Sequence, residues 1–274
     1  MSLRTILRLL GLVFLLAFCF TPATLAAKKY TLLVVLTHGD DNVSIAPLLA
    51  KYAAEGHTVH YAVFTGLQDP SGEPGSAARE ELMCASRALG VRETFVTRNP
   101  AGELQQTVAA VAGRLIELIE QTRPDVIITW GPDGITGHFR HIMVGGVVTR
   151  VFQQQGLLGH RPRKLYYIAY SEARLPDARS PFGGLSAGSA RGDILAGPFG
   201  TVSDVFITTR VDGSRHLKQT REAIACHTIP KGESNGGWQR EWYERLATTF
   251  GGEVSLRLVL PASGGRETDI FKGL

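Results

Sequence analysis

Short, strongly apolar runs alternate along the first half of the chain with longer segments in which apolar residues recur at helical spacing. The runs with the length and β-branched content of strands are residues 30–37, 58–65, 93–97 and 125–130. The segments with helical spacing are residues 46–55, 80–89 and 102–121. Strands that alternate with helices in this order predict an α/β fold with a parallel sheet and right-handed crossovers.

The second half of the chain is less regular. Its predicted strands are residues 164–170, 204–211 and 255–260, and its predicted helices are residues 141–154, 217–226 and 237–248. Residues 175–200 are rich in Gly, Ser, Ala and Pro, so we expect a long loop there, either folded over a site or merely solvated. Because no internal repeat and no domain boundary is evident, residues 27–274 are predicted to form a single domain.

The first 26 residues have a pattern of their own. Arg4 and Arg8 precede an apolar run over residues 9–20, and small residues follow this run up to Ala26. The run is short for a membrane-spanning helix. A basic start, a short apolar centre and a small-residue exit predict a signal peptide at residues 1–26 and export of the remaining chain, to the periplasm or as a secreted protein. The alternative is an uncleaved segment that anchors the protein in a membrane.

Composition indicates more about the binding partners of the protein than about its activity. The formal net charge is +4 and no long basic run is present, so we expect no nucleic acid partner. We expect no membrane partner beyond export, and the oligomeric state is not indicated. Two cysteines, Cys84 and Cys226, remain after cleavage at Ala26. In an exported protein they could form a disulfide, or they could be reduced and buried thiols.

Polar residues with metal-binding chemistry follow two of the predicted strands. The first strand runs into 38-HGDD-41, and the fourth runs into 131-GPDGITGHFRH-141. Parallel strands bring their carboxyl ends to one edge of the sheet, where ligands of open α/β sheets bind. The side chains expected on this edge are His38, Asp40, Asp41, Asp133, His138 and His141.

These residue types are suited to a catalytic zinc, which has three protein ligands and a fourth position for water. One carboxylate of the Asp pair can bind the metal. The other can accept a proton from the water, whose pKa the metal lowers from about 15.7 to about 7. A remaining histidine can donate to the oxyanion. Each cluster alone has a structural alternative: the Asp pair as a helix N-cap, and the two histidines as residues of an exposed turn.

At these residues the sequence resembles the LmbE-like or PIG-L family of zinc-dependent N-acetylglucosaminyl deacetylases. The family pattern A-H-P-D-D-E corresponds to 37-THGDDN-42, and the pattern G-H-P-D-H corresponds to 137-GHFRH-141. The similarity continues in 56-GHTV-59, 79-REEL-82 and 218-KQTREAIACHT-228, and it is stronger over residues 30–150 than beyond. The resemblance implies a Rossmann-like fold of three layers, and hydrolysis of the amide in an N-acetyl sugar or glycoconjugate.

The resemblance also implies roles for individual residues. The zinc ligands would be His38, Asp41 and His141. Asp40 would be the general base, and His138 would stabilise the oxyanion. The candidates for substrate binding are Arg79, which aligns with a sugar-contacting arginine of the family, Asp133 on the same sheet edge, and His227 near the end of the last similar segment.

The family pattern is not matched at every position. Gly39 replaces a proline, Asn42 replaces a glutamate, and Phe139-Arg140 replaces Pro-Asp. An acid in place of Arg140 could orient a histidine, whereas arginine can only donate. The five central residues are retained, so we expect an active deacetylase. The alternatives are a zinc amidase acting on another N-acyl conjugate, and a carbohydrate-binding protein that retains zinc without turnover.

Overall fold

The computed structural model describes residues 28–65, 77–98, 104–174, 201–227, 244, 250–260 and 266–274. The predicted signal peptide, the predicted loop at 175–200 and, except for Glu244, the predicted helix at 237–248 lie outside these residues. Within the described part of the chain, no helix combines the length and the apolar content needed to cross a membrane.

Strands and helices alternate as predicted through the first half of the chain. The strands are β1 (Thr31–Leu36), β2 (Thr58–Thr65), β3 (Glu93–Arg98), β4 (Val126–Thr129), β5 (Lys164–Ser171), β6 (Thr201–Val202), β7 (Thr209–Asp212) and β8 (Glu253–Leu260). The α-helices are α1 (Ala46–Ala54), α2 (Ala77–Ala88), α3 (Leu104–Thr122), α4 (Phe139–Gln153) and α5 (Leu217–Cys226), with a short helical turn at Gly134–Gly137. The strand predicted at 204–211 is wrong in its first half, because Asp204–Phe206 forms a 3-10 turn.

The sheet is mostly parallel, and its strand order is β3-β2-β1-β4-β5-β8-β7, with β6 paired to β5. Strands β1 to β5 run parallel to one another. Strand β8 runs antiparallel to both β5 and β7, a direction that the sequence pattern does not indicate. The carboxyl ends of β1 and β4 are therefore neighbours at one edge, and the amino end of β8 reaches the same edge.

Helices cover both faces of the sheet, which confirms the predicted three layers. The five residues Leu32 to Leu36 of β1 are completely buried. Alternate residues of this strand face opposite layers: Leu32 and Leu36 pack in the core beneath α1 and α2, and Val35 packs in the core beneath α3 and α4. Burial of each such side chain contributes roughly 1.5–3 kcal/mol, so the packing of β1 fixes the point at which the following loop begins.

Candidate active site

The loop after β1 is folded around the carboxylate of Asp41. The Oδ2 atom of Asp41 accepts hydrogen bonds from the backbone amides of Thr37, at 3.0 Å, and His38, at 2.7 Å. Asp40 occupies the N-cap position of the 3-10 helix Asp41–Ile45 but makes no capping hydrogen bond with its side chain. Helix capping therefore does not account for the Asp pair, and Asp41 is instead held with its other oxygen, Oδ1, facing the histidines.

Three potential ligand atoms from the two clusters lie within 3.6 Å of one another. His38 Nδ1 lies 3.1 Å from His141 Nε2. Asp41 Oδ1 lies 3.5 Å from His38 Nδ1 and 3.6 Å from His141 Nε2. The predicted convergence of these two chain segments is therefore present in the structure.

The ring of His141 is held on two sides. Its Nδ1 lies 3.0 Å from the carbonyl oxygen of Gly134, which can only accept, so Nδ1 carries the proton and Nε2 presents its lone pair to His38. The indole of Trp130 stacks on the imidazole at a centroid distance of 4.2 Å and an interplanar angle of 5°. Trp130 thus supports a candidate metal ligand as well as packing in the core.

Helix α4 approaches β4 closely because residue 145 is a glycine. A Cβ atom at Gly145 would lie 2.3 Å from the carbonyl oxygen of Trp130. His141 and Gly145 are one helical turn apart and so lie on the same face of α4. The absent side chain at Gly145 therefore brings His141 close to the end of the sheet.

His138 is the N-cap residue of α4. Its Nδ1 accepts a hydrogen bond of 3.2 Å from the backbone amide of Arg140, so the neutral ring carries its proton on Nε2. Its ring centroid lies 4.8 Å from the centroids of both His38 and His141, and the three histidines offer ligand atoms within 4.8 Å of one another. The two histidines of the second cluster are thus part of the site, and the exposed-turn alternative does not explain His141, which is buried.

The ionisable groups of the site shift one another's pKa values. Burial by itself lowers the pKa of His38, but the hydrogen bond and the negative charge of Asp41 outweigh it and raise the pKa above its ordinary value. Burial raises the pKa of Asp41, yet the hydrogen bond from His38 and the charge of His141 bring the pKa below its usual range. Burial and the neighbouring imidazoles lower the pKa of His138 to about 4.

Asp40 and Arg79 come from two segments that lie against each other near the ligand atoms. The negative charge of Asp40 contributes to the raised pKa of His38 and opposes the lowering of the pKa of His141 and His227 by burial, so its carboxylate lies near these three imidazoles. Arg79 lies in the first turn of α2. A Cβ at Gly39 would be 4.0 Å from the carbonyl oxygen of Ala78, which places the start of α2 against the loop that carries Asp40.

Asp133 and His227 are the other predicted substrate-binding residues. Each of them interacts with a side chain elsewhere in the protein. Asp133 Oδ1 forms an ion pair with Nη2 of Arg257 at 2.9 Å. His227 Nε2 lies 3.1 Å from Oδ1 of Asn42, next to Asp41. His227 therefore reaches the rim of the site through the residue that replaces the family glutamate.

Cys84 and Cys226 form a disulfide, with their Cα atoms 5.7 Å apart. Of the two alternatives that the sequence leaves open, the structure has the paired one. The bond joins α2 to the end of α5, immediately before His227, and so holds His227 beside Asn42.

Sequence reasoning missed two parts of the site. Arg257 is one arginine within β8, and its position in the chain gives no sign of a contact with Asp133, 124 positions earlier. The carbonyl of Gly134 orients His141, and a backbone oxygen has no signature in the sequence. A signal for Gly134 exists only in the glycine-rich spacing of 131-GPDGITG-137, which predicts a turn.

Comparison with known sequences places the chain among deacetylases. The family described as PIG-L, GlcNAc-PI de-N-acetylase, matches residues 33–152. The 1D-myo-inositol 2-acetamido-2-deoxy-alpha-D-glucopyranoside deacetylase of Thermobifida fusca (strain YX) is 30% identical, over 72% of this chain and 82% of its own. The protein of the same name from Salinispora arenicola (strain CNS-205) is 25% identical, over 91% of this chain and 83% of its own.

Solved structures agree on the fold. The N,N'-diacetylchitobiose deacetylase from Pyrococcus horikoshii has a TM-score of 0.53 at 16% identity, covering 88% of this chain and 87% of its own. The 4-carboxy-2-hydroxymuconate hydratase GalB from Pseudomonas putida KT2440 has a TM-score of 0.55 at 16% identity, covering 86% and 98%. This architecture therefore supports more than one reaction, and it is the sequence match that decides the family. The chain belongs to the PIG-L family of GlcNAc-PI de-N-acetylases and is a hydrolase that acts on an amide bond as a deacetylase.

Proposed function

We propose that the protein is a zinc-dependent deacetylase that removes the acetyl group from the N-acetylglucosamine unit of a small glycoside or glycoconjugate. The observation that carries the proposal is the triangle of ligand atoms formed by His38 Nδ1, Asp41 Oδ1 and His141 Nε2, with sides of 3.1 to 3.6 Å. Tetrahedral ligands about 2.0–2.1 Å from a zinc ion are about 3.3 Å apart, so the three atoms fit this metal.

The chemistry of the donors supports the same conclusion. His141 directs the lone pair of Nε2 at His38, because its other nitrogen donates to Gly134. Two imidazole nitrogens and a carboxylate oxygen form a set that suits zinc and leaves a position for water or substrate. Bound at these three atoms, Zn²⁺ would supply Lewis acidity to the hydrolytic water and to the amide carbonyl.

The remaining residues would move protons and stabilise charge. Asp40 is not one of the three ligands in this arrangement, so it would accept the proton of the attacking water and pass it to the leaving amine. His138 presents a protonated Nε2 and would donate to the oxyanion that forms from the amide carbonyl. Arg79, at the start of α2, would contact the sugar.

The substitution of the family acid by Arg140 does not leave His138 without a partner. The backbone amide of Arg140 donates to Nδ1 of His138 and holds the ring with its Nε2 proton free. This contact argues against the alternative of a carbohydrate-binding protein without turnover, because His138 retains a group that orients its ring. Buried Asn42, which replaces the glutamate, likewise has a partner in His227.

The relatives support a sugar substrate. Two proteins aligned over most of the chain are named for deacetylation of a 2-acetamido-2-deoxy-glucopyranoside linked to inositol. We infer that this protein acts on the same acetamido sugar, with an aglycone that the chain does not specify. A zinc amidase for another N-acyl conjugate would use the same ligand triangle and would be distinguished by substrate preference.

We also propose that the protein acts outside the cytoplasm. The pattern of residues 1–26 supports export. The disulfide between Cys84 and Cys226 supports it too, because such bonds persist in oxidising compartments and are rare in the cytosol. Cell fractionation with N-terminal sequencing of the recovered protein tests this. A cytoplasmic protein that retains residues 1–26 would contradict it, and a membrane-bound protein that retains them would support the anchor instead.

The activity test is acetate release from N-acetylglucosamine glycosides by the metal-free protein, with and without added Zn²⁺. We expect release only with the metal, and loss of release after chelation. Glycosides of inositol, of a second sugar and of a simple alkyl group, assayed together with an N-acyl amino acid, separate a sugar deacetylase from a general amidase. Comparable rates on the N-acyl amino acid would contradict the proposed substrate class.

A further inference from the structure

An ion pair that no part of the proposed reaction uses lies beside the ligand triangle. Nη2 of Arg257, in β8, donates to Oδ1 of Asp133 at 2.9 Å. The two side chains are partly shielded from solvent, with relative exposures of 18% and 28%. Both residues lie near the edge of the sheet that carries the site, although they come from different halves of the chain.

The guanidinium of Arg257 is packed closely against the end of β4. A Cβ atom at Gly131 would lie 2.0 Å from Nη2 of Arg257 and 2.5 Å from Oδ1 of Asp133, so only glycine leaves room for the pair. The guanidinium carbon lies 5.6 Å from the ring centroid of Tyr167, its partner across β5 and β8. The hydroxyl of Tyr167 is in turn hydrogen-bonded to Thr149 of α4.

Asp133 begins the loop that orients His141. Its backbone carbonyl accepts from the amide of Gly137, and the next residue, Gly134, supplies the carbonyl that accepts from His141 Nδ1. Gly134 has φ of +58°, and Ile135 has φ of 62°, a left-handed conformation that is unfavourable for a β-branched residue. A loop with such dihedral angles persists only when surrounding contacts hold it, and the Arg257–Asp133 pair is such a contact.

We propose that Arg257 is a positioning residue of the deacetylase site. Its ion pair with Asp133 fixes residues 131–137 and, through the carbonyl of Gly134, the ring orientation and proton position of His141. Arg257 is not one of the three ligand residues, and it acts on His141 through Asp133 and the carbonyl of Gly134. The inference rests on the proposed function, since it assumes that His141 is a zinc ligand.

The test compares Arg257→Met with wild type and with two reference variants. Methionine keeps an unbranched chain over Tyr167 and removes every hydrogen-bond donor. Arg257→Lys keeps the charge without the planar fork. Arg163→Met is the matched control, because it removes an arginine that pairs with Asp125 Oδ1 at 3.1 Å, at the start of β4 and away from the site.

Zinc affinity is the decisive measurement, determined by competition with a chromogenic chelator and supported by the visible spectrum of the Co²⁺-loaded protein. We expect Arg257→Met to weaken zinc binding about 10- to 100-fold, as removal of partners that orient a ligand does. We expect Arg257→Lys to lie between methionine and wild type, and Arg163→Met to equal wild type. The turnover number at saturating zinc should fall, while KM for the sugar changes by less than about 3-fold.

A purely structural role would give a different result. It would lower the unfolding temperature of the metal-free protein and leave the zinc affinity and the Co²⁺ spectrum of the folded protein unchanged, which would overturn the proposal. Asp133→Asn gives an independent check, because the double variant with Arg257→Met should bind zinc no more weakly than either single variant. If wild type itself binds no zinc, the proposed function fails; if wild type binds zinc and Arg257→Met binds it equally well, only this inference fails.

Discussion

His38 Nδ1 and His141 Nε2 lie 3.1 Å apart, although 103 positions separate the two residues in the chain. His38 comes from the loop after β1, and His141 comes from the first turn of α4, after the neighbouring strand β4. Because Nδ1 of His141 donates its proton to the carbonyl oxygen of Gly134, the lone pair of Nε2 faces His38 across this short distance.

Substitutions at His141 and Asp40 should separate metal binding from catalysis. We expect His141→Ala to lose bound zinc, because it removes one corner of the ligand triangle. Asp40→Asn should keep the zinc and reduce the turnover number about 10²- to 10⁴-fold, because only the proton acceptor is lost. Metal analysis of the purified variants and acetate release measure both effects. Unchanged turnover in Asp40→Asn would remove Asp40 from its assigned role.

The imidazole of His138 should be needed for activity, whereas the side chain of Arg140 should not be, because Arg140 orients His138 through its backbone amide. His138→Ala removes the donor to the oxyanion, so we expect the turnover number to fall about 10²- to 10³-fold. Arg140→Ala should retain activity within about 3-fold, because the hydrogen bond to His138 Nδ1 comes from the backbone amide, which alanine also has. Steady-state kinetics of both variants at saturating zinc test the pair. A large loss in Arg140→Ala would show that the guanidinium itself takes part.

Two adjacent glycines of α4 should respond in opposite directions. Gly145→Ala places a Cβ 2.3 Å from the carbonyl oxygen of Trp130 and should lower the free energy of unfolding by about 1–3 kcal/mol. At Gly146 a Cβ meets nothing within 4 Å, so Gly146→Ala should stabilise the helix by roughly 0.5–1 kcal/mol. Denaturant unfolding of the metal-free proteins measures both. Equal effects of the two substitutions would contradict the close approach of α4 to β4.

The disulfide should contribute substantially to stability, because it links residues 142 positions apart. We expect the Cys84→Ala/Cys226→Ala variant to lose about 2–5 kcal/mol of the free energy of unfolding. Wild type should show the same loss in a reducing buffer, whereas the variant should be insensitive to reductant. Unfolding curves with and without dithiothreitol test this. A wild type that is unaffected by reduction would show that the bond is not formed.

Much of the site follows from local sequence. The apolar runs predict β1 and β4, the residues after them supply ligand types, and the rule for parallel strands brings the two groups to one edge. No side-chain detail is needed for this prediction, which places His38, Asp40, Asp41, Asp133, His138 and His141 at one edge of the sheet. The antiparallel direction of β8 was not predicted, because the periodicity of a strand is the same in either direction.

By itself the sequence determined which segments form strands and helices, and which of them carry metal-binding side chains, because both properties depend on residues close together in the chain. Only the tertiary structure decided that Arg257 meets Asp133, that Trp130 stacks on His141, that Asn42 meets His227 and that Cys84 is bonded to Cys226. Each of these contacts depends on strand direction, strand order or helix packing. These are set by how the whole core is filled, so no single segment of the chain contains the information.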